Sequence, residues 1–317
     1  MENCQMLNTS YFEYLQDLSD GPLVLKEGVA VGRNIAMGKN LAMSEKAKES
    51  EKKQNKLKKR KWKNPTKHSE PLPTLDKDFI KKFAEVAKEM SLTRHLLYIT
   101  VVNGAFERLT INWLCNTLIF KELTCMFMRF PGYEGDLNWG EQKYINFLTI
   151  RTQLMRILIE RLNSVFEDVE QNSVRFVLIE ADSTWFRDPL ELFINATMID
   201  DADIVVPSKG YTRKGDDLAF SPILVEPTNT SIAVFDEMNR RLLRNDSLYD
   251  QDVLNELCSM KYHGVVCRSF EYSEIADGKW FHLHDRVKSN MKPFIVNNNF
   301  YVGLKNKETR QVWIKNL

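Results

Sequence analysis

Short, continuous apolar runs alternate with helical patterns along most of this chain, beginning at about residue 75. The runs include HLLYITVV (95–102), LTCMFMRF (123–130) and RFVLIEAD (175–182). Between the last two, residues 144–166 place large apolar side chains at helical spacing. A strand that is apolar throughout is buried on both faces, so this alternation predicts an α/β fold with a mostly parallel central sheet flanked by helices.

The segment before this region has a different character. Lysine and arginine dominate residues 44–72, and apolar residues are almost absent there. Such a composition cannot bury enough surface to fold, which predicts a disordered linker or stem over residues 1–72 and a globular domain over residues 75–317. A nuclear-localisation or nucleic-acid-binding patch, or the cytoplasmic flank of a membrane anchor, are the alternatives for the basic run.

Composition excludes several classes of protein. The net charge is +1, so no nucleic-acid partner is expected from charge alone. Five cysteines without a C-x-x-C pair do not match the common zinc-ribbon or thioredoxin spacings, and whether Cys258 and Cys267 form a disulfide stays open. No stretch reaches about 18 apolar residues, so we expect no membrane anchor within this chain. Four N-x-[ST] triplets are weak indications of a secretory lumen.

Two acids stand at the end of the apolar run 175–182. Glu180 and Asp182 are alternate residues, so in an extended segment their carboxylates face the same side. Ligands of open α/β sheets bind at the carboxyl ends of strands, and paired carboxylates there can share Mg²⁺ or Mn²⁺. The alternative is a pair of loop acids that form ion pairs with arginines.

The segment VLIEADSTWFRDPLELF (177–193) resembles the D-x-D-x-x-W-x-R-D-P signature of the nucleotide-diphospho-sugar transferase family, which includes plant cell-wall xylosyl- and arabinosyltransferases. Three further segments are similar to the family's elements in the family's order. These are YITVVNGAFERLTINWLC (98–115), RTQLMRILIERL (151–162) and FSPILVEPTNTS (220–231), followed by the Asp-Gln helix start in YDQDVLNELC (249–258). The resemblance covers about residues 95–260.

This resemblance implies a GT-A fold and a glycosyltransferase, of hexosyl or pentosyl type. Its donor would be a nucleotide-diphospho-sugar, with UDP as the expected nucleotide, and its acceptor a hydroxyl of a glycan or protein. The resemblance also implies Mn²⁺ or Mg²⁺ as cofactor and the Golgi lumen as compartment. The alternative is a catalytically degenerate relative that binds a glycan or partner, which the glutamate at 180 and a missing late histidine suggest.

The resemblance also assigns site residues. Asp182 would lie nearest the metal and the donor, and Glu180 takes the place of the family's first aspartate. The catalytic candidates are Asp182 and Asp250, the metal candidates are Asp182, Glu180 and Asn297, and the donor-binding candidates are Val102, Asn103, Gly104, Arg151, Glu180 and Gln251.

Two of these residues have competing interpretations. Arg151 falls on the apolar face of its helix, where it could pair with a donor phosphate or pack its stem while its guanidinium reaches water. Asp250 begins a predicted helix, so it could be an acceptor-side or catalytic residue or an ordinary cap.

The late metal ligand is the main departure from the family. Related enzymes place a histidine where this chain has Asn297, before a glycine and a lysine that match Gly303 and Lys305. Asn297 or Asn299 is therefore the expected amide ligand, weaker than imidazole. The alternating pair His282 and His284 is the alternative.

Overall fold

A computed structural model describes residues 23–24, 75, 77–91, 96–117, 120, 125–129, 132–166, 174–195, 200–210, 217–245, 247–299 and 303–314. The basic run at 44–72 lies outside the described residues. From the segment predicted as a linker or stem, only Leu23–Val24 is described, and it pairs with a strand of the main sheet.

The main sheet contains seven strands in the order β1-β3-β2-β4-β7-β6-β8. Strands β3, β2, β4, β6 and β8 run in the same direction, whereas β1 and β7 run in the opposite direction, β7 lying between β4 and β6. The sheet is therefore mostly parallel, as predicted. The strands are β1 (Leu23–Val24), β2 (Leu96–Val102), β3 (Cys125–Arg129), β4 (Arg175–Ile179), β6 (Ile204–Pro207), β7 (Ile223–Val225) and β8 (Cys267–Phe270).

A second, smaller sheet lies just beyond the end of β4. It consists of β5 (Ser183–Trp185), β10 (Ile295–Asn297) and β9 (Ile275–Ala276), in that order. Strand β10 is antiparallel to β5, with Asn297 opposite Ser183. This pairing brings a segment close to the carboxyl terminus of the chain beside the acids that follow β4.

The helices surround the main sheet. They are α1 (Lys77–Ser91), α2 (Glu107–Thr117), α3 (Gln142–Phe166), α4 (Leu190–Phe193), α5 (Asn229–Arg244), α6 (Asp250–Ser259), α7 (Asp285–Asn290) and α8 (Leu304–Ile314). Helix α3 begins two residues before the predicted start at 144. None of the described helices is long and apolar enough to cross a membrane.

The position of strand β4 between two buried clusters explains why its sequence is apolar throughout. Phe176 and Leu178 belong to one buried cluster, which also contains the apolar side of α3, whereas Val177 and Ile179 belong to a second cluster. Successive side chains of a strand point to opposite faces, so a strand between two cores needs apolar residues at every position.

The cysteines left open by the sequence are joined. Cys258 in α6 and Cys267 at the start of β8 form a disulfide with a Cα–Cα distance of 5.6 Å. The bond ties a helix on one face of the sheet to the edge strand β8.

Candidate active site

A cavity of about 270 Å³ opens where β2 and β4 end. The two strands are parallel neighbours, with Thr100 opposite Ile179, so the residues that follow them emerge side by side. The cavity is lined by most of the candidates, together with residues from the loop 132–140, α6 and α8. The candidates that line it are Val102, Asn103, Arg151, Glu180, Asp182, Asp250 and Gln251.

Arg151 on α3 joins two of the acids. Its Nη1 donates to Glu180 Oε1 at 2.7 Å, and its Nε and Nη2 donate to Asp250 Oδ2 at 3.1 and 2.5 Å. The guanidinium also lies 4.4 Å from the centre of the Phe220 ring. Burial by itself lowers the pKa of Arg151, but the carboxylates of Asp250 and Glu180 more than offset this and raise it above the usual range. The guanidinium is therefore a fixed buried cation and does not extend to water.

Asp250 begins α6, as predicted. Its Oδ1 accepts a hydrogen bond from the backbone N–H of Gln251 at 2.8 Å, while its Oδ2 binds Arg151. Burial raises the pKa of the Asp250 carboxyl, and Arg151 opposes that rise. The carboxylate thus satisfies one free N–H of the helix start and also faces the cavity, so the two interpretations of this residue are compatible.

Glu180 is held from both ends. Its backbone N–H donates to Ser221 Oγ at 2.9 Å, and its carboxylate accepts from Arg151. Burial raises the pKa of this carboxyl, but the charges of Arg151 and Lys307 outweigh burial and leave it below the ordinary value. Glu180 is therefore ionised, and with 29% of its side chain exposed it is accessible from the cavity.

Asp182 is more deeply buried, with 1% of its side chain exposed. Its Oδ2 accepts a hydrogen bond from Nζ of Lys307 in α8, and its backbone carbonyl accepts from the N–H of Asn298 at 3.2 Å. Burial raises the pKa of Asp182, and the nearby charge of Glu180 adds to the rise, while the ammonium of Lys307 opposes it.

Lys307 is a site residue that sequence reasoning missed. Its backbone N–H donates to the carbonyl of Gly303 at 3.3 Å, so it lies one helical turn after that glycine, and Gly303, Leu304 and Lys307 all line the cavity. Lys305, which the family pattern singled out, is exposed. Helical spacing from Gly303 was the signal that distinguishes the two lysines, because residues three and four apart share a face.

The residues after β2 differ in their surroundings. Asn103 donates through Nδ2 to the carbonyl of Gly135 at 2.9 Å, and the N–H of Gly104 donates to the carbonyl of Tyr133 at 2.9 Å. A Cβ on Gly104 would lie 2.4 Å from the backbone oxygen of Glu134, so only glycine permits this approach of the loop. Gly104 is not among the residues that line the cavity.

The late candidates for metal ligation are separated. Asn297 is buried and donates through Nδ2 to the carbonyl of Ser221 at 2.8 Å, whereas Asn299 lines the cavity. His284 accepts through Nδ1 from the N–H of Arg286 at 3.2 Å, and His282 is exposed. Neither histidine lines the cavity, so this structure does not support the histidine pair as a replacement.

The donor atoms at this site suit a hard divalent cation in type. Within the described ranges no group of three His, Cys, Asp or Glu side chains is placed to hold a metal ion. The buried Asn297 Oδ1, however, has no hydrogen-bond partner among the described residues, although Asn297 is not among the residues that line the cavity. Its amide oxygen and the carboxylates of Glu180 and Asp182 are all oxygen donors. Mg²⁺ and Mn²⁺ prefer such oxygen ligands. A cation at Asp182 would compete with the ammonium of Lys307.

Comparison with solved structures gives several distant similarities. The glycosyltransferase GlyE of Streptococcus pneumoniae TIGR4, in its apo form, is 12% identical with a TM-score of 0.38, and the match covers 63% of this chain and 53% of GlyE. A glycosyltransferase involved in glycosylation of the major capsid of PBCV-1 is 10% identical with a TM-score of 0.42, covering 69% and 98%. Mouse xyloside xylosyltransferase 1 is 9% identical with a TM-score of 0.35, covering 65% and 97%. The chain thus spans about half the length of GlyE.

No curated protein matches the chain. A family model does match it: residues 114–311 fit the nucleotide-diphospho-sugar transferases, and this span is more than half of the chain. The match does not favour the alternative of a non-catalytic relative. With the mostly parallel sheet and its flanking helices, it confirms the predicted GT-A-like α/β fold. The chain therefore belongs to the nucleotide-diphospho-sugar transferase family, a family of glycosyltransferases.

Proposed function

We propose that this protein transfers a hexosyl or pentosyl unit from a UDP-sugar to a hydroxyl of a glycan or protein acceptor. The bond from the anomeric carbon to the diphosphate breaks, the bond to the acceptor oxygen forms, and the hydroxyl proton is released. The observation that carries the proposal is the buried carboxylate of Asp182, which lines a cavity at the end of β4 and is bound by Lys307. A site of this kind positions reactants and stabilises charge on the leaving group.

The donor would lie across the ends of β2 and β4. Val102 and Asn103 are proposed to contact the nucleotide. Gly104 is proposed to support donor binding indirectly, by letting the loop 132–140 approach the end of β2. The cations that line the cavity include Lys209, Lys279, Arg151 and Lys307. Arg151 pairs with Glu180, and Lys307 pairs with Asp182. Arg151 and Lys307 are therefore the two cations proposed to face the diphosphate. Arginine suits this role because its planar fork binds phosphate oxygens in pairs.

Mn²⁺ or Mg²⁺ is the proposed cofactor. Asp182 and Glu180 would hold it, with Asn297 as an amide ligand, because these side chains supply oxygen donors. When bound, the ion neutralises negative charge on the nucleoside diphosphate as it leaves. The chain's own contribution is the positive charge of Arg151 and Lys307. Against the effect of burial, these cations lower the pKa of Glu180, and Lys307 opposes the rise that burial causes in the pKa of Asp182.

Asp250 is proposed to serve the acceptor side, and Gln251 is proposed to bind the donor. Both line the cavity at the start of α6, and Asp250 also fixes the orientation of Arg151 through its ion pair. Displacing Asp250 would therefore move Arg151 as well, which makes Asp250 both a candidate catalytic residue and a positioning residue.

The Golgi lumen is the proposed compartment. The Cys258–Cys267 disulfide supports an oxidising environment, because disulfides persist mainly in secretory compartments. Asn195 and Asn229, each within an N-x-[ST] triplet, are exposed, which supports a glycoprotein.

An assay of donor hydrolysis and sugar transfer tests this function. UDP-xylose, UDP-glucose and UDP-galactose are each incubated with the protein, with Mn²⁺ or with EDTA, and released UDP is measured. Asp182→Asn is expected to lower the rate by about 100-fold or more with the active donor, because charge stabilisation at the leaving group is lost.

Asp188→Asn is the matched control, because Asp188 is an exposed acid in the same segment that bonds the N–H of Leu190, a contact asparagine preserves. Native turnover in Asp182→Asn would contradict the assignment of Asp182. Equal turnover with Mn²⁺ and with EDTA would contradict the role of the metal, but it would leave the assignment of Asp182 unaffected.

A further inference from the structure

An aromatic pair on the cavity wall has no role in the donor site described above. Trp139, in the loop 132–140, stacks on Tyr249 with ring centres 5.0 Å apart and ring planes at 5°. Both rings line the cavity, and Tyr249 is buried while Trp139 is partly exposed. We call Trp139 and Tyr249 the aromatic platform.

The platform is held rigidly to the site. The loop is anchored to the end of β2 by the hydrogen bond from Asn103 to the carbonyl of Gly135. At its other end, Tyr249 directly precedes Asp250, whose carboxylate binds Arg151. The exposed part of Trp139 therefore has a fixed position relative to the charged residues, as a preformed binding surface requires.

The polar groups next to the platform in the chain are acids and amides. Asp136 and Asn138 belong to the same loop as Trp139, and Gln251 and Asp252 follow Tyr249 in the first turn of α6; all four line the cavity. Carboxylates and amide oxygens accept hydrogen bonds from hydroxyls, and amide nitrogens donate to them. The acids disfavour a phosphate or a carboxylate at this wall by like-charge repulsion.

We infer that the aromatic platform binds a neutral sugar ring of the acceptor, so that the acceptor is a glycan. The inference rests on the proposed function, which assigns the donor to the end of β2. The C–H groups on one face of a pyranose carry partial positive charge and pack against the negative face of an aromatic ring. The hydroxyls at the ring edge then reach the acids and amides. An aromatic wall with a few convergent polar groups is typical of a small-molecule site.

The test is a direct binding measurement that needs no donor. Methyl glycosides of xylose, glucose, galactose and mannose are titrated at millimolar concentrations by saturation-transfer difference NMR. The native protein is expected to bind at least one of them. Trp139→Ala is expected to weaken that binding by about tenfold, and Trp139→Phe by less, because a ring face remains.

Two further variants distinguish a specific loss of binding from a general loss of folding. Asp136→Ala changes an exposed residue of the same wall and is expected to weaken glycoside binding several-fold. Phe186→Ala removes an exposed aromatic ring that does not line the cavity, and it is expected to bind glycosides as the native protein does.

Two results would overturn the inference. One is failure of the native protein to bind any of the four glycosides. The other is loss of UDP binding in Trp139→Ala with glycoside binding retained, which would show that the platform stacks on the nucleobase. Because the glycoside titration requires no turnover, absence of donor hydrolysis would count against the proposed function separately.

Discussion

Arg151 and Asp250 lie 99 residues apart in the sequence and form a buried ion pair, with Nη2 2.5 Å from Oδ2. Both side chains are almost completely removed from solvent, at 6% and 3% exposure. The same guanidinium binds Glu180, so one cation balances two acids at the base of the cavity. Removing it would leave buried negative charges without a partner.

Arg151→Met is expected to lower the free energy of unfolding by about 3–5 kcal/mol, because Asp250 and Glu180 lose their shared counter-charge. Urea unfolding followed by tryptophan fluorescence measures this. Arg156→Met, on the same helix, is the control. Arg156 pairs with Glu160 and Asp236 near the surface, so its loss is expected to cost about 1 kcal/mol or less. Equal costs for the two variants would contradict a buried network.

The pH dependence of donor binding is expected to report on Asp182. Burial raises the pKa of its carboxyl, so Mn²⁺-dependent binding of UDP is expected to weaken as pH falls through that raised value. Lys307→Met removes the cation that opposes the rise, and the midpoint of the loss should move to higher pH by about one unit or more. Isothermal titration calorimetry across pH measures the midpoint.

Lys305→Met provides the matched control for that shift. Lys305 is exposed on the same helix, and its replacement is expected to leave the pH midpoint where it is in the native protein. An unchanged midpoint in Lys307→Met would contradict the coupling between Lys307 and Asp182.

Glu237 on α5 is expected to contribute stability that depends on pH. Hydrogen bonding from Arg240, against the opposing effect of burial and with help from Arg241, lowers the pKa of Glu237 from 4.5 to about 2. A lowered folded-state pKa gives stability that is fully present above pH 4.5 and is lost as pH falls toward about 2. The contribution is about 1 kcal/mol, since Arg240 is half exposed.

In the native protein the free energy of unfolding should decrease as pH falls from 4.5 toward about 2. Glu237→Gln is expected to make this decrease less steep. Unfolding by urea at a series of pH values measures the slope. The exposed acid Glu191 offers a control, because Glu191→Gln should leave the slope unchanged. A slope equally steep in Glu237→Gln and the native protein would assign the acid sensitivity to other carboxyls.

Loss of the Cys258–Cys267 bond is expected to destabilise the fold but to leave the candidate active site intact. The bond closes a loop with a sequence separation of 9, for which chain entropy gives about 2.5 kcal/mol. Unfolding of a double Cys→Ser variant measures the loss. The native protein under reducing conditions should unfold like the variant. Identical unfolding with and without reductant would indicate that the bond is absent in solution.

Local patterns in the sequence were sufficient for the elements that build the site. Residues 144–166 form one helix because their apolar side chains repeat at helical spacing, and 176–179 form a strand because both of its faces meet a core. The acid motif after that strand was equally readable, because alternation along an extended chain is a local property. Arg151 was noticeable as a cation on an apolar face.

The sequence by itself determined the α/β fold class, the family signature and the acids at the end of β4. Only the tertiary structure decided that Lys307, 125 residues away, binds Asp182, that Arg151 is shared between Glu180 and Asp250, and that Cys258 is joined to Cys267. The reason is physical. Periodicity is set by neighbours within a few residues, whereas the partner of a buried charge depends on which distant segments the sheet order brings together.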